Sequence, residues 1–233
     1  MRKKTSTISP QLPLDLSVPV AHLREDLIES KANEMAISMI DSWPDWPARV
    51  SVLAGPVGAG KTHIANVWAD KAKAVSCACV DLAKNLDDYV KYAADKGNFL
   101  IEDAGSGVID ETAMFHFLNA IKQGEGYCLI TSRSWPIEWN VTLPDLASRL
   151  KAVQVFELSE PDDELLRHVM VKLFADRQLT VDEKIIDYCV LRMERSLESA
   201  GRLVDAIDAE AMSRKSGISR STAAQALERL GMN

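Results

Sequence analysis

Nowhere does the chain hold the roughly 18 consecutive apolar residues that a membrane-spanning helix needs. No apolar stretch follows the opening Met1-Arg2-Lys3-Lys4, so the start does not read as a secretory leader. Cysteine is scarce, with only Cys77, Cys79, Cys128 and Cys189. The C-x-C of Cys77 and Cys79 is neither a redox C-x-x-C nor half of a paired zinc pattern, so small buried thiols on one strand face are expected. The histidines, His22, His63, His116 and His168, fall at no metal-ligand spacing. Basic residues are outnumbered, 27 Lys and Arg against 34 Asp and Glu, for a formal charge of −7. A dedicated duplex-DNA binder carries a basic face, so contact with DNA is expected to be indirect or weak. No repeat and no low-complexity block occurs. These absences favour a cytoplasmic protein of a reducing compartment, with no membrane contact.

What is present is a globular composition, 47% hydrophobic and 26% charged, in a chain long enough for one core and a smaller second unit. The beginning stands apart. In Ile8–Val20 three prolines forbid a helix, while Leu12, Leu14 and Leu16 alternate and share one side of an extended chain. Next, Ile28, Met35, Met39 and Ile40 recur at helical spacing up to the Trp-Pro-Asp-Trp-Pro stop. Short apolar strands are expected at 50–54, 75–80, 99–101, 128–131 and 153–158, with helices between them at 62–73, 82–94 and 112–123. Continuous apolar strands alternating with helices predict a parallel sheet covered on both faces. After Pro161 the pattern is helical only, at about 162–177, 181–192, 197–215 and 220–230. The expected organisation is an extended tail over 1–20, an α/β base over 21–160 and a helical lid over 161–233.

The sharpest signal is Gly55-Pro56-Val57-Gly58-Ala59-Gly60-Lys61-Thr62, directly after the first strand and opening a helix. This G-x-x-x-x-G-K-T stands in the setting a phosphate-binding loop requires. The glycines let backbone N–H groups turn toward phosphate oxygens, Lys61 neutralises the outer phosphates and the Thr62 hydroxyl ligates Mg²⁺. A second signal is Asn98–Gly105, an apolar strand ending in Glu102 and Asp103. In a parallel sheet that places two carboxylates beside the loop, Glu102 for Mg²⁺ and Asp103 for polarising water.

These motifs, with "LITSRSWP", "LASRLKAVQVFEL" and "SLESAGRLVDAID", resemble the AAA+ module of the replication initiator DnaA, from about Asp26 to the end. More narrowly they resemble the DnaA-related regulators of the Hda family. The resemblance implies a P-loop AAA+ five-stranded parallel sheet with a C-terminal helical lid, binding ATP or ADP with Mg²⁺. It adds Ile28 and His63 to the nucleotide-binding residues, makes Arg149 an arginine finger offered to a partner's nucleotide and makes Arg202 the lid arginine that reads nucleotide in cis. It also gives the tail a partner: Gln11, Leu12, Leu14 and Leu16 resemble the peptide by which replication proteins dock on the DNA polymerase sliding clamp. A DnaA-type initiator is the second implied partner, and nucleotide-dependent self-association is left open.

Two departures bear on chemistry. The acidic pair runs Glu102–Asp103 where the family has Asp first, so slow intrinsic hydrolysis is expected, since misplacement by about 1 Å costs ~10²-fold. Arg133 stands where the initiator carries an acidic residue, which puts a γ-phosphate-sensing role for Thr131 or Ser132 in doubt. The basic C-terminal helix, with Arg214, Lys215, Arg220 and Arg229, is read as lid rather than as a DNA-reading helix, capped by Ser219 or Ser221. The expected function is an adaptor that promotes hydrolysis of initiator-bound ATP. Its alternatives are an independent AAA+ ATPase or helicase loader, and a small-molecule kinase.

Overall fold

The computed structural model describes residues 23–214 and 217–232; the tail residues Gln11, Leu12, Leu14 and Leu16 lie outside them. Five strands form one parallel sheet: β1 (Val50–Ala54), β2 (Val75–Ala78), β3 (Phe99–Ala104), β4 (Cys128–Ser132) and β5 (Gln154–Glu157). Their order is β2-β3-β4-β1-β5. Alternation along each strand splits the core in two. Val52, Ile101 and Ile130 face α4 (Glu111–Gln123), where Met114, Phe117 and Ile121 meet them. Leu53, Leu100 and Leu129 face the opposite way, onto α1 (Glu34–Asp41) and α2 (Lys61–Ala72), which contribute Ile37, Ile64 and Trp68. Trp68 is fully buried and stacks on Trp46 at 5.1 Å. Two further helices, α3 (Leu86–Ala94) and α5 (Pro144–Lys151), complete the layer that holds α4.

Beyond β5 the chain is helical: α6 (Asp163–Asp176), α7 (Glu183–Val190), α8 (Leu197–Arg214) and α9 (Arg220–Arg229). These four enclose a core of their own, including Leu166, Met170, Phe174, Cys189, Leu203, Ile207 and Leu227. Ser219 caps α9, accepting from the Thr222 N–H while the Thr222 hydroxyl accepts from the Ser219 N–H.

Several expectations need correction. The helix expected from Ile28 begins only at Glu34; Ile28 lies in the segment before it and Met35 is 66% exposed. Ala36, Ile37, Met39 and Ile40 form the buried stripe instead. The second strand ends at Ala78, and Cys79–Asn85 is 3₁₀ before α3 begins, so Cys77 and Cys79 do not share a strand face. Burial still pushes the thiols up, Cys77 and Cys79 to about 11 and Cys189 to about 12. The third strand runs three residues past Ile101, which places Glu102 and Asp103 on the strand itself. No described helix is long and apolar enough to cross a membrane.

Candidate phosphate-loop site

Residues 55–62 link the C-terminal end of β1 to the first turn of α2. The loop is held at both sides of its start. Gly55 N–H donates to the Ser132 carbonyl of β4 at 3.2 Å, and Leu158 N–H, just after β5, donates to Ala54 O at 2.8 Å. Gly58 and Gly60 adopt positive φ, 76° and 96°, which a side chain would strain. Gly60 is also the N-cap of α2, so the helix dipole and its free N–H groups open into the loop. Lys61 Nζ donates to the Gly55 and Pro56 carbonyls, both at 2.8 Å, arching over the loop. Burial lowers the Lys61 pKa, helped by the nearby Arg133 and opposed by Asp103. A loop with glycine concavity, helix terminus and arched lysine fits a polyphosphate. Thr62 is exposed at its rim and Glu102 is half-buried on β3. Among the described residues no three His, Cys, Asp or Glu side chains gather into a metal cage. Thr62 and Glu102 are the residues that could offer oxygen atoms to a Mg²⁺ beside a bound phosphate.

Asp103 sits at a β-bulge, where the pairing of β3 with β4 slips between Ile101 and Ala104. Its φ is +57°, a conformation that Asp tolerates better than most residues. Its N–H donates to Thr131 Oγ1 at 3.0 Å. Its carboxylate faces Arg133, with Nε–Oδ1 at 3.1 Å and Nη2–Oδ2 at 3.2 Å. The Ser132 hydroxyl donates to Ala104 O and accepts from Trp139 Nε1. The Ser132 hydroxyl thus already donates to a strand end, whereas Thr131 Oγ1 only accepts there, and both residues are buried.

Beside the loop lies a cavity of about 530 Å³. Ile28 enters it from the N-terminal segment, His63 and Ile64 from α2, Val169 and Leu173 from α6, and Leu197 from α8. Its lining is mostly apolar and suits a planar base. Asp26 and Lys172 pair at its edge at 2.9 Å, joining the N-terminal segment to α6. The helical unit also touches the loop directly: Leu197 N–H donates to Gly58 O at 2.8 Å. A Cβ added to Gly58 would stand 2.0 Å from Ser196 Oγ. Sequence reasoning missed this contact, as it missed the Asp26–Lys172 pair, because both join segments more than a hundred residues apart.

Arg202, on α8, donates to Ser199 Oγ at 3.0 Å and faces Glu194 at 3.7 Å. Arg149 is elsewhere, on α5, its guanidinium 5.1 Å from the Phe115 ring centroid. It lines a separate cavity with Arg49 and Lys122 and forms no ion pair among the described residues. Around the loop the structure brings together Ile28, Gly55–Thr62, His63 and Asp103, whereas Glu102 lies close enough to Cys77 to act on its thiol, Arg202 does not line the cavity and Arg149 is outside.

No protein-family model matches the chain. It is 25% identical over 206 residues to the chromosomal replication initiator protein DnaA of Bacteroides thetaiotaomicron, covering 78% of this chain and 44% of that protein. The chain thus spans less than half the length of that relative. The crystal structure of domain III of the Thermotoga maritima replication initiation protein DnaA matches with a TM-score of 0.74 at 16% identity, over 90% of this chain and 97% of that one. AMPPCP-bound DnaA from Aquifex aeolicus matches at 0.71 and 18% identity, over 85% of this chain and 68% of that one. The chain is thus similar in sequence to a DnaA over 206 residues, and its fold is that of domain III of the Thermotoga maritima DnaA.

Proposed function

We propose that this protein is a nucleotide-dependent AAA+ adaptor of the Hda kind, acting in the control of replication initiation. It binds ATP or ADP in the phosphate loop, with the base in the cavity between α2, α6 and α8 that Ile28 and His63 line. Lys61 and the Gly55–Gly60 amides hold the phosphates, Thr62 and Glu102 share a Mg²⁺, and Arg202 answers from the helical unit, which acts as a lid. The binding of AMPPCP by a DnaA of the same fold supports this reading. The tail residues Gln11, Leu12, Leu14 and Leu16 dock on the DNA polymerase sliding clamp, the leucines filling an apolar groove and the Gln11 amide hydrogen-bonding beside it. Contact with DNA is indirect or weak.

One observation carries the adaptor reading: Arg149 lines a cavity that shares no residue with its own phosphate-loop cavity. Arg149 is partly exposed, its guanidinium over the Phe115 ring; offered to a nucleotide held by a DnaA-type initiator, it neutralises the charge that develops there. Supplying such a group in trans raises phosphoryl transfer by about 10³–10⁵. Slow turnover of the protein's own nucleotide rests on the order of the acidic pair, with the longer Glu102 first and the shorter Asp103 second at the end of β3.

The test is hydrolysis of initiator-bound ATP in the presence of DNA-loaded clamp, comparing the intact protein with Arg149→Ala. Acceleration by the intact protein, lost in the variant, is the expected result. No acceleration by either, together with brisk hydrolysis by this protein alone, replaces the adaptor with an independent AAA+ ATPase.

A further inference from the structure

Arg133 stands at the mouth of the phosphate loop, and the adaptor reading does not require it. Its position follows from the backbone. Ser132 O accepts the Gly55 N–H, so Arg133 directly follows the residue bonded to the first glycine of the loop. Its charge is near enough to Lys61 to help lower that lysine's pKa. From there the guanidinium reaches Asp103 fork to fork, at 3.1 and 3.2 Å.

The two partners differ in freedom. Asp103 is tied through its backbone, its N–H to Thr131 Oγ1 and its carbonyl to the Ser106 hydroxyl. The Arg133 side chain is 56% exposed and has Asp103 as its ion-pair partner among the described residues. Arg133 is therefore the member that can move. A triphosphate in the loop brings a second fork-shaped acceptor into the same neighbourhood, one of higher charge than a carboxylate.

We propose that Arg133 is a two-position residue, passing from Asp103 to the terminal phosphate when a nucleoside triphosphate occupies the loop and returning to Asp103 when that phosphate is gone. A nucleoside diphosphate ends one phosphate short and leaves the Asp103 pair in place. The residue thus distinguishes ATP from ADP, and Asp103 is released only in the triphosphate state. This rests on the nucleotide reading of the loop.

Calorimetric titration of the full chain with ATP and with ADP, in Mg²⁺, tests it. Arg133→Gln should weaken ATP about tenfold, one charge-assisted contact, and leave ADP unchanged. Asp103→Asn should tighten ATP several-fold by removing the competing carboxylate, and this gain should vanish in the Arg133→Gln background. Equal changes for ATP and ADP, or an Asp103→Asn effect that persists without Arg133, would overturn the proposal and leave a static surface ion pair. Arg133→Lys keeps the charge without the fork, so full retention of ATP preference in it also counts against the transfer. If the intact protein binds ATP and ADP alike, only this inference fails. If it binds neither, the nucleotide reading fails first.

Discussion

At the scale of single residues, Gly58 meets two demands at once. Its φ of +76° is unfavourable for any side chain, and Ser196 fills the space a Cβ would take. Gly58→Ala should cost about 1–2 kcal/mol from the backbone alone, with a further loss from the contact with Ser196. Adding Ser196→Gly should recover the contact part and leave the backbone part. Thermal unfolding of both variants, read beside nucleotide titration, checks this; a Gly58→Ala protein as stable as the parent would contradict it. The glycines of this loop were legible in the sequence because spacing alone specifies them. Arg133 was legible only as an oddity. Its pairing with Asp103 depends on a bulge in β3, and a bulge of one residue leaves no periodic trace in an already short strand.

Among the elements, the parallel sheet and the switch to helices after Pro161 could be read directly, since buried strands are continuously apolar and helices carry stripes. The start of α1 could not. Ile28 and Met35 fit the period, but Met35 is exposed and Ile28 turns into the cavity beside the loop instead of the sheet core. A side chain that serves a ligand cavity is apolar for its own reason and imitates a core residue. The 3₁₀ stretch 79–85 was hidden for another reason: the two residues it buries, Cys79 and Leu82, are three apart, a spacing that an α-helix shares. The final helix offered two candidate caps in the sequence, Ser219 and Ser221, of which the structure uses Ser219. Ser219 and Thr222 satisfy each other's end of α9, and Ser219→Ala should cost about 1 kcal/mol of stability in urea unfolding. The same change at Ser221, which makes no cap, should cost little.

For the whole molecule, the pair that joins the N-terminal segment to the helical unit is Asp26 with Lys172. The hydrogen bond to Lys172 holds the Asp26 carboxyl below its ordinary range, and the bonds to Asp26 and Asp176 raise Lys172. A lowered carboxylate stabilises the fold above its unfolded value and loses that contribution as pH falls; a raised ammonium loses its contribution only as pH climbs past the ordinary lysine range. The tie should therefore hold from about pH 5 to pH 10 and weaken outside it. Both groups are about a third exposed, so the effect is under about 1 kcal/mol. Melting temperatures of the parent and Asp26→Asn should converge as pH drops from about 5 toward 3, and a gap that stays constant would argue against the pairing. The hydrogen bond from Leu197 to Gly58 has a larger consequence. With a nucleotide in the loop, as proposed, it makes the helical unit and that nucleotide two ligands of one loop, so their free energies are linked and the linkage is reciprocal. Whatever factor a bound nucleotide imposes on a partner that grips α8, that partner must impose on the nucleotide. A protein that captures the helical unit could thereby set the lifetime of the nucleotide without ever touching it.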